Sequence, residues 1–260
     1  MTTKLRYLYR AYRYRYRVDP AELRFVCDRL RPGQVAVDIG CHKGAYTYWM
    51  RRRVGPSGSV FAFEPQPGQV AYLREVFSAM RYDNVAIVPM AVSDVEGKLP
   101  LHVASDSTHG ASLEAGSRER GAGSNNSGSP LPAPRSLLVD VTTLDAFFAG
   151  RPQGPNFVKI DVEGHELAVL RGARQTLEMH RPTILVECEA RHRPDGDVQP
   201  VFDFLQSLGY KGSFFTHGRR RPLADFDPNL HQAWDRIQHR LPRGYVNNFA
   251  CEHPGRSARH

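Results

Sequence analysis

From residue 34 onward, short apolar runs, most of them ending in glycine or an acid, alternate with stretches of helical character. Residues 34–40 (QVAVDIG), 59–64 (SVFAFE), 85–92 (VAIVPMAV), 156–161 (NFVKID) and 183–189 (TILVECE) each read as a strand. Between them, residues 45–53, the stretch running to residue 80, TTLDAFF with Thr142 or Thr143 as its cap, 166–179 and 201–208 read as helices. Residues 210–216 and 245–251 supply final strands. Strands separated by helices need crossover connections, so this order predicts a mostly parallel sheet covered on both faces. Two short strands, 99–103 and 137–141, flank an insertion at about 104–135 that is rich in Ser, Gly, Asn and Pro. Its core, GAGSNNSGSPLPAP, can bury almost nothing and is expected to be a mobile loop. No internal repeat is visible. The expected organisation is an α/β domain over residues 31–260 carrying that insertion, preceded by a basic extension over residues 1–30.

The extension is unusual in composition. Residues 4–17, KLRYLYRAYRYRYR, interleave six basic side chains with five tyrosines, and no acid precedes Asp19. One reading is a helix whose tyrosines pack on the domain. The other is a contact with nucleic acid or an anionic membrane surface, since Arg and Tyr pair with phosphates and stack on bases. The whole chain carries 35 Lys and Arg against 27 Asp and Glu, a net charge of +8, which favours anionic partners. Nothing approaches an 18-residue apolar run, and the basic N-terminus has no apolar stretch behind it, so neither a membrane span nor a secretory signal is expected. Cys27, Cys41, Cys188 and Cys251 are scattered and form no CxxC pair. A reducing cytoplasm, with peripheral membrane contact through the arm, is the expected setting.

The chemistry concentrates at strand ends, where open α/β sheets bind ligands. The first strand leads into Asp38-Ile39-Gly40-Cys41-His42-Lys43-Gly44, an acid followed by a glycine-bearing loop that lets backbone approach a ligand. It lacks the GxGxxG spacing of a dinucleotide site, which disfavours a nicotinamide dehydrogenase. The second strand ends at Glu64, 24 residues after Gly40, where a carboxylate can accept both hydroxyls of a ribose. The fourth strand end carries Lys159, Asp161 and Glu163 alternating with Val158, Ile160 and Val162. If extended, the three charged residues share one face, and burying them is costly unless they are paired or functional.

The segments VAVDIGCHKGAYT, FAFEP, TTLDAFF, FVKIDVEGHELAVLRGA and PTILVECE, in that order, resemble the FkbM-type S-adenosylmethionine-dependent methyltransferases. The resemblance covers roughly residues 34–190, with an echo at Val246-Asn247-Asn248-Phe249. It implies a class I methyltransferase fold: a Rossmann-like, doubly wound sheet of seven strands, mostly parallel, with an antiparallel last strand. It also implies O-methylation of a hydroxyl on a sugar, glycolipid or natural product, with S-adenosylhomocysteine as the product. The implied cofactor contacts are Asp38, Gly40, His42, Gly44, Glu64 and Ala91, and Asp161, Glu163 and His165 would face methyl transfer. His165 has the intrinsic pKa of a general base, Asp161 is the rival base or the group that orients the acceptor hydroxyl, and Glu163 is expected to hold either in place. Members often show Ala-Asn where this chain has Cys41-His42. The insertion and the arm lie outside the pattern. Asp161, Glu163 and His165 could also ligate a divalent metal, but their spacing matches no metal motif and none is expected. The competing functions are RNA methylation, prompted by the basic arm, and an inactive adaptor binding nucleic acid or membrane. Against the first, the chain has no Asn/Asp-Pro-Pro-aromatic tetrapeptide; against the second, Asp38, Glu64 and Asp161 are intact.

Overall fold

Five consecutive buried residues, VAVDI, make β1 (Val35–Ile39) the middle of the principal sheet. β2 (Ser59–Phe63) and β3 (Val85–Val88) extend it in parallel on one side. The chain then leaves this sheet. β4 (Ala91–Val92), β5 (Gly97–Val103), β6 (Ala111–Leu113) and β7 (Arg135–Thr142) form a second sheet in the order β4-β7-β5-β6. It returns as β8 (Phe157–Ile160), parallel to β1 on the other flank, followed by β9 (Thr183–Glu187). β10 (Lys211–Thr216), β11 (Arg219–Pro222) and β12 (Asn248–Glu252) complete the order β11-β10-β12-β9-β8-β1-β2-β3. The computed structural model describes residues 2–103, 111–113, 135–233 and 244–255. The expected mobile insertion therefore falls largely outside the described residues; its residues 111–113 pair with β5.

The antiparallel last strand is present: β12 runs against both β9 and β10. Among the described residues the sheet has eight strands rather than seven, because β10 folds back on itself as β11. His217 and Gly218 both take left-handed conformations there, the two-residue turn that matches strand twist. β11 reads RRRP and is wholly exposed, so it has no apolar alternation to announce it. Two other elements differ from the sequence reading. Residues 85–92 are not one strand: Pro89 has no N–H to give a ladder, and Ala91–Val92 crosses into the second sheet beside β7. Residues 166–179 are two helices, α6 (Glu166–Arg171) and α7 (Arg174–His180), preceded by α5 (Leu144–Phe148). The break falls at Gly172, where a Cβ would come within 1.9 Å of the Ser93 carbonyl oxygen. α5 is capped by Thr143, whose hydroxyl accepts from the Ala146 N–H at 3.0 Å.

Helices cover both faces. α5 to α7 and α8 (Gln199–Ser207) pack on the face presented by Val35, Val37 and Ile39. The opposite face, which takes Ala36, is covered by α2 (Pro20–Arg29) and α3 (Ala45–Val54). α4 (Pro67–Met80) lies beside them, and a short α9 (Pro228–His231) precedes β12. The Tyr/Arg-rich arm is helix α1 (Thr3–Arg13) followed by a five-residue π-helical turn, Tyr14–Val18. Tyr7 and Ala11, four residues apart, are fully buried. Tyr7 sits among Tyr48, Phe77 and Tyr82 and donates its hydroxyl to the Gly44 carbonyl at 3.2 Å. Leu5, Tyr9 and Tyr16 remain exposed on the outer side. Among the described residues, no helix is long and apolar enough to cross a membrane, and the four cysteines are unpaired.

If α1 is part of the core, truncating Tyr7 must cost as much as truncating any buried aromatic. Tyr7→Ala should lower unfolding free energy by about 3–5 kcal/mol, and Tyr7→Phe by only about 1 kcal/mol. Urea unfolding of the two variants measures both; equal, negligible losses would mean that α1 is merely apposed.

Candidate active site

The ends of β1 and β8 touch. Asp161 donates its N–H to the Ile39 carbonyl at 3.0 Å, and Gly40 and Cys41 both donate to the Phe63 carbonyl at 3.0 Å. A Cβ on Gly40, which has φ +76°, would lie 1.9 Å from the Asp161 carbonyl oxygen. Only glycine suits that place, on grounds of both space and conformation. Asp38 is buried beneath the loop and accepts from Thr47 Oγ1 at 2.5 Å. Burial pushes its carboxyl up to about 6, and the Thr47 hydrogen bond opposes that shift.

Glu64 stands at the end of β2 with both oxygens engaged by backbone. Oε2 accepts from the His42 N–H at 2.8 Å and Oε1 from the Gln66 N–H at 2.9 Å. Burial nevertheless pushes this carboxyl up to about 7. The two N–H bonds fix its plane and leave lone pairs for a ligand's hydroxyls.

The charged residues of the fourth strand end do not share one extended face. The strand stops at Ile160, and Glu163 turns to φ +46° ahead of Gly164 at φ +96°. Gly164 is again forced, since a Cβ there would sit 2.3 Å from the His192 carbonyl oxygen. Lys159 is fully buried, 3.6 Å from Asp161 and 3.7 Å from Glu187. Burial pulls its pKa down, but Asp161, Glu187, Asp38 and Asp19 together more than reverse that, so it stays protonated. His42, at φ +49°, is a second non-glycine residue held left-handed beside the cleft. Such conformations carry strain and concentrate at functional sites.

These strand ends enclose a cleft of about 400 Å³. Asp38, Gly40, His42, Glu64 and Ala91 line it, as do Asp161 and Glu163. Two expected residues do not. Gly44 lies behind the loop, where a Cβ would press on Leu73, Phe77 and Tyr7; it serves the packing of α1 and α4. His165 immediately precedes α6 and is buried, with Nε2 2.8 Å from Ser93 Oγ. Burial lowers its pKa, partly countered by Asp94. The histidine that lines the cleft on this side is His192. Its Nδ1 is 3.9 Å from Glu189, and burial lowers its pKa while Glu189 pulls the other way. Glu189 is itself held by Arg191 at 2.7 and 2.9 Å and by the Tyr245 hydroxyl at 2.6 Å.

Sequence reasoning also missed Arg10, Tyr14, Asp19 and Glu187, which line the same cleft. The sequence reading takes TILVECE as a strand and assigns its glutamates no role. Nothing local points to the N-terminal three, because α1 reaches the cleft by packing on α3 and α4 and the π-helical turn by packing on α1 and α2. Asp19 accepts from the Tyr46 hydroxyl at 2.9 Å, and the Tyr46 ring lies 5.2 Å from Lys159 Nζ. Among the described residues, no group of three or more His, Cys, Asp or Glu is placed to hold a metal ion.

This order of strands, with the cleft at their carboxyl ends, defines a class I methyltransferase fold. Residues 38–211 match the methyltransferase FkbM domain, and the chain belongs to that family of methyltransferases. A curated relative, "Methyltransferase 1" of Beauveria bassiana, is 25% identical over 181 residues, which is 67% of this chain and 71% of that protein. The FkbM methyltransferase of Methylobacillus flagellatus KT superposes with a TM-score of 0.52 at 15% identity, covering 96% of this chain. This chain spans only 55% of that protein's length. The "putative rRNA-methylase" of Clostridium thermocellum superposes with a TM-score of 0.52 at 11% identity, covering 90% of this chain and 93% of that one. At these identities the two structures establish the shared fold.

The raised carboxyls give a pH signature. Glu64 is held near 7 in the folded state against 4.5 for a free side chain, so the folded chain binds its proton more tightly. Stability from this group is full below about pH 4.5 and is lost as pH rises through about 7. Thermal melts of the ligand-free protein from pH 5 to 8 should therefore decline less in Glu64→Gln than in the wild type. Identical slopes would show that Glu64 titrates normally.

Proposed function

We propose that the chain transfers a methyl group from S-adenosylmethionine to a hydroxyl oxygen of a carbohydrate-like or natural-product acceptor. The observation that carries this reading is Glu64, fixed by two backbone N–H groups at the end of β2 with its remaining lone pairs available to a ribose diol. Asp38, Asp19 and Asp161 make the adjoining part of the cleft acidic, which suits a ligand bearing an ammonium and a sulfonium. Gly40 keeps the loop backbone free of side-chain bulk where that ligand would approach. The donor supplies a methyl carbon already attached to a good leaving group. The protein's own task is to align the acceptor oxygen in line with it, and such positioning contributes about 7–11 kcal/mol.

With the donor bound, transfer of its methyl group from sulfur to the acceptor oxygen would release the hydroxyl proton, and a base of the protein must take it. Of the sequence-derived cluster, Asp161 and Glu163 face the cleft, and we assign Asp161 to orienting the hydroxyl. His165 is turned into the fold, so we assign the base to His192, whose lowered pKa leaves it neutral and able to accept a proton at pH 7. The sequence-based expectation of a weak anionic-surface contact stands as part of the proposal, through the exposed outer side of α1.

The first test is binding of S-adenosylmethionine by calorimetry, followed by a labelled-methyl screen of hydroxylated acceptors with mass spectrometry of the product. With an acceptor in hand, His192→Asn and Asp161→Asn should each lower kcat by about 100-fold with donor affinity kept within a few-fold. His165→Ala should lower the melting temperature and leave kcat within a few-fold. Normal turnover in His192→Asn, or loss of turnover confined to His165→Ala, would reverse the assignment of the base.

A further inference from the structure

Two cations face the cleft without an acid. Arg10, on α1, and Lys43, in the loop after β1, both line it. The other basic groups there are neutralised: Lys159 by Asp161 and Glu187, and Arg191 by Glu189. Among the described residues, neither Arg10 nor Lys43 makes an ion pair, and Arg10 Nη1 is buried with no hydrogen-bond partner. Their like charges oppose each other. The Lys43 ammonium is pulled below its usual range by burial first and by Arg10 second. Arg10 also lies against Tyr72, where it opposes the upward push of burial on that phenol. A buried donor left unpaired and two like charges held together are both unfavourable, and one anion between them would relieve both. Arg10 precedes residues 38–211, so the family match does not include it.

We infer that Arg10 and Lys43 form an anion-binding subsite of the cleft, which takes a carboxylate or phosphate of the ligand bound there. The guanidinium offers a planar fork and the ammonium a mobile point charge, a combination suited to either oxyanion. The anion has two sources: the α-carboxylate of the methyl donor, or an acidic group on the acceptor. The inference rests on the reading of the cleft as the methyl-transfer site, and it makes α1 a working wall of that site.

The test uses the full chain with Arg10→Gln, Lys43→Gln and, as control, Arg13→Gln, an exposed charge on α1 that does not line the cleft. Calorimetry measures S-adenosylhomocysteine, 5′-methylthioadenosine, which shares the nucleoside but lacks the amino-acid end, and inorganic phosphate. If the donor's carboxylate is the anion, either cleft variant should weaken S-adenosylhomocysteine by about tenfold or more and leave methylthioadenosine unchanged. If the acceptor carries it, S-adenosylhomocysteine should be unchanged, and salt-sensitive phosphate binding by the wild type should fall by about tenfold in the variants. The subsite is overturned if both cleft variants match Arg13→Gln for S-adenosylhomocysteine and phosphate, or if S-adenosylhomocysteine is unaffected and the wild type binds no phosphate. Failure of the wild type to bind S-adenosylhomocysteine would overturn the donor reading instead, and the phosphate titration then decides the subsite by itself. Should Arg10→Gln fail to fold, Lys43→Gln, in a half-exposed loop position, decides both comparisons.

Discussion

The site depends on the contact between the ends of β1 and β8. Gly40 passes so close beneath the Asp161 carbonyl that no side chain fits between them. That approach brings the loop after β1 and the loop after β8 to one cleft. The backbone bonds from Asp161 to Ile39 and from Gly40 and Cys41 to Phe63 lock three strand ends together. Because a parallel sheet sends its carboxyl ends to one edge, Asp38, Glu64 and Asp161 arrive on the same side without any further device.

Gathering so many acids in a buried place has an electrostatic cost. Asp38, Glu64 and Glu187 all have carboxyls raised by burial. Lys159, fully enclosed between Asp161 and Glu187, is the central compensating charge. Its ion pairs with both let the acids stand together. The left-handed His42 and Glu163 add backbone strain at the two loops that rim the cleft. Charge and strain are therefore both concentrated where a ligand would relieve them.

The N-terminal segment joins the site from outside the residues that match the family domain. Burial of Tyr7 and Ala11 ties α1 to α3 and α4, and the π-helical turn then drops Tyr14 and Asp19 to the cleft. An extra residue in a helical turn re-aims the side chains that follow it, which is why such turns recur at functional sites. The inner side of α1 is thus structural near its start and faces the cleft near its end, while the outer side keeps exposed tyrosines and arginines.

The parallel order of the central strands, the Asp38–Gly40 loop, Glu64 at the second strand end and Asp161 at the fourth were all legible in the sequence. Each depends on a local rule: a strand buried on both faces is continuously apolar, and its end is where glycines and acids can appear. The resemblance carried the family and the class of fold. What local rules could not reach was decided by packing. His165 and His192 are equally titratable in the sequence, yet one is sealed against Ser93 and the other faces the cleft. Gly44 follows the same loop as Gly40 but spends its lack of a side chain on α1 and α4. β11 has no apolar pattern because it is an exposed edge, and the break at Gly172 exists only because Ser93 lies against it. The sequence by itself determined which residues could do chemistry. Only the tertiary structure decided which of them meet, because burial and approach depend on neighbours that are distant along the chain.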